Sequence, residues 1–347
     1  MKTVAVTRWA DKEIGDKGKI EVVDFPMPVV GPTDVLVKVA YCSICGSDPH
    51  ILASGKAIGW KTPFGLGHET SGIIAELGPK ATISGLKVGD RVCCQFFKAC
   101  GVCVNCRHGR ESACLSMADG CAPGMAEYIV CDEQQVFKIP DTLPLEEACL
   151  VEPLAIAVRA IETAKIPEGG TVAISGGGSL GLMILQLAKI SGASSVTIIE
   201  PMEEKLKLAA QLGADYCINP KTDDVMAEAM KITGDYGFSS VIESSGAPAA
   251  TKPAMAILAP GGTAVMFAMY PTDYEMPLNL FQDIYWNEKT VTGFFNSSFH
   301  TFPQSLALMP KVNMKALIHK VFPLDDAVAA FEAQATGKYA KILIKCS

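Results

Sequence analysis

The sequence has no long apolar run. Its longest apolar stretch, LGLMILQLAKI at 180–190, is interrupted by polar residues and falls far short of the ~20 residues that span a membrane. The first residues, MKTVAVTRWADKEIGDKGKIEVV, carry scattered charges and lack the apolar core and cleavage site of a signal peptide. We therefore expect a cytoplasmic protein without a membrane partner.

Positive charge is also scarce. The chain has 30 Lys and Arg against 37 Asp and Glu, a net charge of -7. This excess of negative charge argues against a nucleic-acid partner, which requires a basic face. The length of 347 residues suits one large domain or two, with two favoured, and 49% hydrophobic with 19% charged residues indicates a globular protein.

Cysteine, by contrast, is plentiful, with 13 residues. Because the cytosol keeps thiols reduced, we look for a role other than disulfides. Four cysteines lie in CGVCVNCRHGRESAC, namely Cys100, Cys103, Cys106 and Cys114. Two-residue gaps allow neighbouring thiolates to converge on one tetrahedral ion, and a longer return loop supplies the fourth ligand.

The loop 100–114 therefore predicts a zinc site. An iron–sulfur centre uses similar spacing, and a disulfide pair or metal-free thiols are the remaining alternatives. Four thiolates leave zinc no vacant position for a substrate, so we expect a structural site, with any chemistry elsewhere.

The second half of the chain carries a glycine motif. Gly176, Gly178 and Gly181 form G-x-G-x-x-G between an apparent strand, TVAIS, and an apparent helix. The next strand-like run, SVTIIE, ends at Glu200, which is placed to bind an adenosine ribose. Missing side chains let the backbone approach a pyrophosphate at the helix N-terminus, so the segment predicts dinucleotide binding.

Glu200 also bears on the choice of dinucleotide. Its carboxylate, with Glu203 and Glu204 close behind, repels the extra phosphate of NADP, and no arginine stands nearby to bind it. We expect NAD. About six strands alternate with helices through this half, which predicts a doubly wound α/β domain over 156–296.

The first half reads as mostly β. Runs such as VLVKVAYCSI and SGIIAELG are separated by Gly, Pro and Asp turns. The segments ICGSDPH, GLGHETSG and VEPLAIAV contribute Cys45, His68, Glu69 and Glu152. Three protein ligands plus one open position make a catalytic zinc site. Spacing alone does not join residues 45, 68 and 152, because a buried cysteine and a core histidine are the default interpretations.

The order of the motifs along the chain decides between a catalytic zinc site and ordinary core residues. CGSD, GHE, CxxCxxCx7C, EPL and GxGxxG together resemble the zinc-dependent medium-chain alcohol dehydrogenases. The Glu of EPL and the end GKYAKILIKC are most similar to the sorbitol/polyol dehydrogenase branch. The resemblance implies an α/β chain in two parts: a GroES-like, mostly-β catalytic domain over 1–155 and 297–347, and a Rossmann NAD-binding domain over 156–296. It also implies a homo-oligomer, a dimer or a tetramer.

The resemblance assigns the site residue by residue. Cys45, His68 and Glu152 match the catalytic zinc ligands, and Glu69 matches an adjacent carboxylate that touches zinc through water or exchanges as a ligand. The four cysteines of 100–114 match a structural zinc, which makes two zinc ions per subunit. Ser47 and His50 match a proton relay. The implied reaction transfers hydride between a secondary alcohol and NAD and yields a ketone.

The match departs from the polyol branch at one position. After the last Rossmann strand that branch has an arginine near the substrate, whereas this sequence has GFFN, with Asn296. A neutral amide hydrogen-bonds a hydroxyl but cannot clamp an anion. A sugar alcohol, a vicinal diol and a bulkier secondary alcohol therefore stay open, as do threonine 3-dehydrogenase and 2,3-butanediol dehydrogenase activities. A non-catalytic dinucleotide- or zinc-binding protein is the rival, although the retained ligands argue against it.

Overall fold

The computed structural model describes residues 1–11, 15–82, 85–117 and 123–347. The chain divides into two compact units, one of 1–153, 298–307 and 314–347, the other of 154–297 and 308–313. The expected boundaries stood at 155 and 297. The sequence did not predict that 308–313 belong to the second unit. In this segment the backbone N–H of Asn313 donates to Oε1 of Gln186 over 2.7 Å.

The regular elements follow in chain order. Up to residue 150 they are β1 (Lys2–Arg8), β2 (Lys19–Asp24), β3 (Asp34–Ser43), α1 (Ser47–Ile58), β4 (Phe64–Gly65), β5 (Glu69–Leu77), β6 (Arg91–Cys94), α2 (Val104–Arg107), β7 (Tyr128–Asp132), β8 (Val136–Lys138) and α3 (Leu145–Ala148). Next come α4 (Val151–Ala164), β9 (Thr171–Ser175), α5 (Ser179–Ile190), β10 (Ser195–Ile199), α6 (Glu203–Gln211), β11 (Tyr216–Ile218), α7 (Val225–Thr233), β12 (Phe238–Glu243), α8 (Pro248–Ala256), β13 (Leu258–Met266) and β14 (Thr290–Thr292). The last are α9 (Thr301–Leu308), β15 (Ile318–Pro323), α10 (Ala327–Ala335) and β16 (Lys341–Lys345).

The first unit is mostly β. Among the residues that the structure describes, its larger sheet has the order β15-β16-β3-β5-β6-β8, and β7 also pairs with β3. A smaller sheet has the order β2-β1-β4. Strand β3 lies between β16 and β5, and its Ser43 is opposite both Leu343 of β16 and Glu69 of β5. This register brings the start of β5 close to the C-terminal strand.

Apolar side chains of β3 explain why this sheet holds together. Val35, Val37 and Val39 alternate along the strand and are fully buried, as expected for a strand with one face in the core. The mostly-β character of this part was predicted correctly, although α1, a helix of 12 residues, was not.

The second unit is α/β. Its strands pair in parallel in the order β11-β10-β9-β12-β13-β14, the arrangement of a doubly wound nucleotide-binding fold. Val172, Ala173 and Ile174 of β9 are fully buried, because helices cover both faces of a parallel sheet. The predicted doubly wound domain is confirmed. The reversal of strand order falls between β9 and β12, where such folds bind their ligands.

None of the helices in the described ranges combines the length and the apolar character that crossing a bilayer demands.

Candidate functional site

The four cysteines of 100–114 converge. Their sulfur atoms all lie within 4.8 Å of one another, with 3.4 Å between Cys103 and Cys106 and 3.9 Å between Cys100 and Cys106. Zinc bound tetrahedrally at 2.3 Å would hold its sulfur ligands about 3.8 Å apart. The four side chains therefore fit a zinc ion without rearrangement of the loop.

Backbone N–H groups favour thiolates in this loop. The N–H of Cys103 points at the sulfur of Cys100 over 3.3 Å, and the N–H of Cys100 points at the sulfur of Cys114 over 3.3 Å. Backbone N–H groups lower the pKa of Cys100 and Cys103, to about 6 for Cys103. Desolvation and the adjacent Cys103 raise the pKa of Cys106, because further thiolates require a compensating cation.

A second cluster lies in the same unit. The sulfur of Cys45, a ring nitrogen of His68 and a carboxylate oxygen of Glu69 lie within 4.8 Å of one another. Cys45 lies in the connection between β3 and α1, and His68 and Glu69 lie where β5 begins. Sulfur, nitrogen and oxygen donors in one place are the ligand set of a catalytic zinc site.

Glu152 lies near this cluster but outside that 4.8 Å group. It stands in the first turn of α4, 3% exposed, and acts electrostatically on both His68 and Glu69. Burial raises the pKa of Glu152 to about 7. The structure thus brings Cys45, His68 and Glu69 together and places the fourth predicted ligand beside them.

Asp48 is a buried carboxylate that the sequence analysis did not single out. It is fully buried, accepts a hydrogen bond of 2.9 Å from the N–H of Cys45, and has an oxygen 3.9 Å from Nδ1 of His68. Burial raises the pKa of Asp48 to about 6. Burial lowers the pKa of His68, but Cys45 and Asp48 raise it to a final value well above the ordinary one. The site is rich in negative charge and so suits a cation.

Lys341 is the second residue that the sequence analysis missed. Its ammonium group donates to both carboxylate oxygens of Glu69, over 2.7 and 2.5 Å, and to the carbonyl of Ile44 over 3.2 Å. Burial lowers the pKa of Lys341, but Glu69 and Cys45 raise it above its ordinary value, so the ammonium stays charged. A carboxylate has about four lone-pair sites, so Glu69 retains capacity for a metal or a water.

Ser47 and His50 are one helical turn apart on α1. The hydroxyl of Ser47 lies 3.5 Å from Nε2 of His68, at the edge of the cluster, whereas His50 is exposed. Among the described residues, the structure records no direct hydrogen bond between Ser47 and His50.

The glycine motif follows β9 as predicted, and the structure gives a different reason for glycine at each position. Gly176 has φ +104°, a left-handed conformation that favours glycine. A Cβ on Gly181 would lie 1.9 Å from the carbonyl oxygen of Gly176, whereas one on Gly178, the N-cap of α5, would enter open space. Glu200, at the end of β10, accepts hydrogen bonds from the N–H groups of Gly177 over 2.7 Å and Met202 over 3.1 Å. The loop and the carboxylate therefore fit a dinucleotide.

Asn296 is half-buried in the second unit. Its φ of +60° is a conformation that asparagine tolerates better than most residues, which gives a backbone reason for its presence. Its carbonyl accepts a hydrogen bond of 2.7 Å from the guanidinium of Arg159. Its amide nitrogen is buried without a hydrogen-bond partner.

Known proteins resemble this chain along nearly its whole length. Residues 31–141 match the alcohol dehydrogenase GroES-like domain, and residues 179–311 match the zinc-binding dehydrogenases. An L-threonine 3-dehydrogenase of Pyrococcus abyssi is 35% identical over 339 residues, which cover 93% of this chain and 94% of that protein. The chain belongs to the zinc-binding dehydrogenase family.

Two more relatives extend this result. A sorbitol dehydrogenase of Bacillus subtilis is 33% identical over 322 residues, 90% of each chain. A Clostridium scindens protein, solved as a candidate zinc-binding dehydrogenase, superposes on this dehydrogenase with a TM-score of 0.95 at 39% identity, covering 99% of each chain. The predicted family, the two-part fold and the enzyme class are confirmed, and zinc and a nicotinamide cofactor belong to the chemistry of this dehydrogenase.

Sequence signals for the two missed residues differ. Asp48 is the last residue of the CGSD motif of this dehydrogenase, so the motif itself could have pointed to it. Lys341 is separated from Glu69 by 272 residues, and no local pattern links the two.

Proposed function

We propose that this dehydrogenase catalyses the reversible oxidation of a secondary alcohol to a ketone, with NAD as the hydride acceptor. The observation that carries the proposal is the cluster of Cys45, His68 and Glu69 in anionic surroundings. The segment 176–181, which we call the glycine loop, and Glu200 supply the dinucleotide-binding half of the machinery.

The metal ligands in this proposal are Cys45, His68 and Glu152, with Glu69 as the exchangeable carboxylate. Zinc bound there would supply Lewis acidity, which lowers the pKa of the alcohol. Two roles follow for neighbouring side chains. Asp48 orients the imidazole ring of His68 from the side of its Nδ1, and Lys341 fixes the carboxylate of Glu69 by hydrogen bonds.

Two side chains of α1 carry the proton of the alcohol to solvent. The hydroxyl of Ser47, beside His68, receives the proton, and His50 delivers it to solvent from an exposed position one turn further along the helix. Because no direct hydrogen bond between Ser47 and His50 is recorded in the described part of the chain, a water or a cofactor hydroxyl would complete the relay.

The cofactor in this proposal is NAD and not NADP. Gly176, Gly178 and Gly181 leave room for the pyrophosphate, and Glu200 accepts from the adenosine ribose. NAD bound there would supply the carbon that accepts the hydride. A phosphate on the ribose would face the carboxylate of Glu200, with an electrostatic cost.

The second zinc has a structural role. Cys100, Cys103, Cys106 and Cys114 would hold it with four thiolates, which leaves no position for a substrate. The zinc-loaded protein then carries two zinc ions, one in each cluster of the first unit.

We favour a polyol as the substrate, because sorbitol dehydrogenase is among the relatives. The second candidate is L-threonine, since the L-threonine 3-dehydrogenase is 35% identical to this chain, against 33% for the sorbitol dehydrogenase. The third is 2,3-butanediol, because a 2R,3R-butanediol dehydrogenase of Bacillus subtilis is among the similar solved structures. Asn296 is the proposed substrate contact, with its unpartnered amide as the hydrogen-bond donor to a hydroxyl.

A substrate panel tests the proposal. The purified enzyme is assayed with sorbitol, xylitol, 2,3-butanediol and L-threonine and with NAD or NADP, by the absorbance of the reduced cofactor. We expect turnover of at least one alcohol with NAD, and none in the Cys45→Ala variant. Zinc and NADH binding without turnover of any secondary alcohol would favour a non-catalytic binding protein instead.

The setting of the enzyme also belongs to the proposal. We infer a cytoplasmic homo-oligomer, a dimer or a tetramer, that takes a small-molecule substrate and binds neither nucleic acid nor membrane. Light scattering of the purified chain distinguishes these oligomers from a monomer.

A further inference from the structure

Glu243 is a buried carboxylate for which the proposed reaction has no use. It is the last residue of β12 and is fully buried. In the parallel pairing of β12 with β9 it lies opposite Ser175, the last residue of β9. These two strand ends flank the point where the strand order reverses, and α/β folds of this kind bind their ligands there.

The surroundings of Glu243 consist of hydrogen-bond donors. The carboxylate accepts from the hydroxyl of Ser175 over 3.3 Å and from the N–H groups of Ser245 over 2.8 Å and Gly246 over 3.2 Å. The hydroxyls of Ser245 and Tyr270 also donate to it. Within the described ranges, no salt bridge to Glu243 is recorded. Five donors converging on one carboxylate indicate a group that organises its surroundings.

The same segment touches the glycine loop. We name residues 244–246 the serine segment. The hydroxyl of Ser244 donates to the carbonyls of Ser175 over 2.8 Å and of Gly176 over 3.3 Å. A Cβ on Gly176 would lie 3.0 Å from that hydroxyl oxygen and 3.1 Å from the nitrogen of Ser245. The glycine loop and the serine segment are therefore packed backbone to backbone.

We propose that Glu243 is a positioning residue for the dinucleotide, which holds the serine segment against the glycine loop so that the backbone facing the pyrophosphate is preorganised. This inference rests on the proposed function, because it takes the glycine loop as the dinucleotide site. Glu243 fixes the N–H groups of Ser245 and Gly246, and Ser244 in turn fixes the carbonyls of the glycine loop. Burial and Glu243 together raise the pKa of Tyr270, so its phenol remains a donor.

The variant that tests this role is Glu243→Gln. Glutamine has the same shape, but its amide nitrogen would face donors that need an acceptor, so the serine segment must move. We expect the Kd for NADH, from fluorescence titration, to rise about tenfold or more, while kcat at saturating NAD stays within about threefold. Adenosine, which has the ribose but no phosphate, does not depend on the backbone that faces the pyrophosphate and should bind within about threefold of wild type.

Ser239→Ala is the matched control. Ser239 bridges the same two strands at their opposite end, where its hydroxyl donates to the carbonyl of Thr171 over 2.7 Å. This variant removes a hydrogen bond between β9 and β12 far from the glycine loop, so NADH affinity should stay within about threefold of wild type. Ser244→Ala serves as a second variant in case Glu243→Gln does not fold. Loss of its hydroxyl should raise the NADH Kd about threefold to tenfold.

The outcomes separate this inference from the proposed function. If Glu243→Gln and Ser244→Ala both bind NADH as wild type does, the positioning role is wrong while dinucleotide binding stands. It is also wrong if Glu243→Gln weakens the binding of adenosine as much as that of NADH, or if Ser239→Ala weakens NADH binding as much as Glu243→Gln does. The effect is then a general weakening of the unit. If wild-type protein binds no NADH at all, the proposed function fails, and this inference with it.

Discussion

The ammonium of Lys341 hydrogen-bonds both carboxylate oxygens of Glu69, and the two side chains are 2% and 1% exposed. The pairing follows from the sheet, because β3 lies between β16 and β5 and its Ser43 is opposite a residue of each. A buried charge without its partner is strongly destabilising, whereas the intact pair roughly compensates its own desolvation. Lys341 therefore places a compensating cation on the buried Glu69 carboxylate beside Cys45 and His68.

The Lys341→Met variant tests this pair. Methionine fills a similar volume but leaves Glu69 as an uncompensated buried charge, so the free energy of unfolding of metal-free protein should fall by about 3–5 kcal/mol. Urea unfolding measures the change. Lys345→Met, at an exposed position of the same strand, is the control and should change stability by less than about 0.5 kcal/mol. Equal effects of the two substitutions would remove any special role for Lys341.

The glycine loop offers a comparison between two alanine substitutions. In Gly181→Ala the new methyl meets the carbonyl of Gly176, so both stability and NADH affinity should fall. In Gly178→Ala the methyl enters open space, so the unfolding free energy should change by no more than about 1 kcal/mol. NADH affinity should nevertheless fall about tenfold or more, because the methyl occupies room for the pyrophosphate. Normal NADH affinity in Gly178→Ala would place the cofactor elsewhere.

Cofactor choice depends on Glu200 in this account. Glu200→Gln removes the negative charge and keeps the size, so the ratio of kcat/KM for NADP to that for NAD should rise about tenfold. Steady-state kinetics with both cofactors measure the ratio. Glu228→Gln, the same change of charge at an exposed position of α7, is the control and should leave the ratio nearly unchanged. A wild-type preference for NADP would contradict the assignment directly.

Asp132 supplies a pH-dependent prediction for the first unit. It accepts hydrogen bonds from Lys98 over 2.6 Å and Thr33 over 2.9 Å, and thereby ties β7 to the segment just before Cys100. Burial raises the pKa of Asp132, but Lys98 and its other donors lower it to below its ordinary value. A lowered folded pKa means that the stabilisation is complete above the unfolded pKa of about 3.9 and is lost as the pH falls through the folded pKa.

Asp132→Asn should therefore lower the free energy of unfolding by about 1–3 kcal/mol at pH 7. The difference from wild type should shrink below about pH 4, as the wild-type carboxylate takes up its proton. Urea unfolding at a series of pH values measures it. A difference that stays constant down to pH values of about 2 would mean that the charge of Asp132 plays no part.

Much of the α/β unit was predictable, because its strands are short apolar runs buried on both faces. TVAIS and SVTIIE led directly to β9 and β10. The helix α1 was missed because SDPHILASGKAI has a proline in its first turn, a glycine at 55 and no clear apolar stripe. Tertiary packing explains that glycine: a Cβ at Gly55 would lie 2.4 Å from the ring of Trp9.

The two clusters of potential metal ligands also differ in how far the sequence predicts them. The cysteines of 100–114 are close in sequence, so their spacing alone indicates a shared ion. Cys45, His68 and Glu69 come together only through the register of β3 with β5, and Lys341 only through the pairing of β16 with β3. Contacts of this kind depend on sheet order, which local patterns do not encode, and only the resemblance to a family linked the first three.

Anomalous diffraction at the zinc edge, from crystals of the whole chain and of Cys45→Ala and Cys103→Ala, tests the central claim most directly. Wild type should show two peaks, one among the four cysteines and one bonded to Cys45 and His68 at about 2.0–2.3 Å. Cys45→Ala should lose only the second peak, together with all activity, and Cys103→Ala should lose the first and become less stable. The absence of a peak between Cys45 and His68 in active wild-type enzyme would contradict the account.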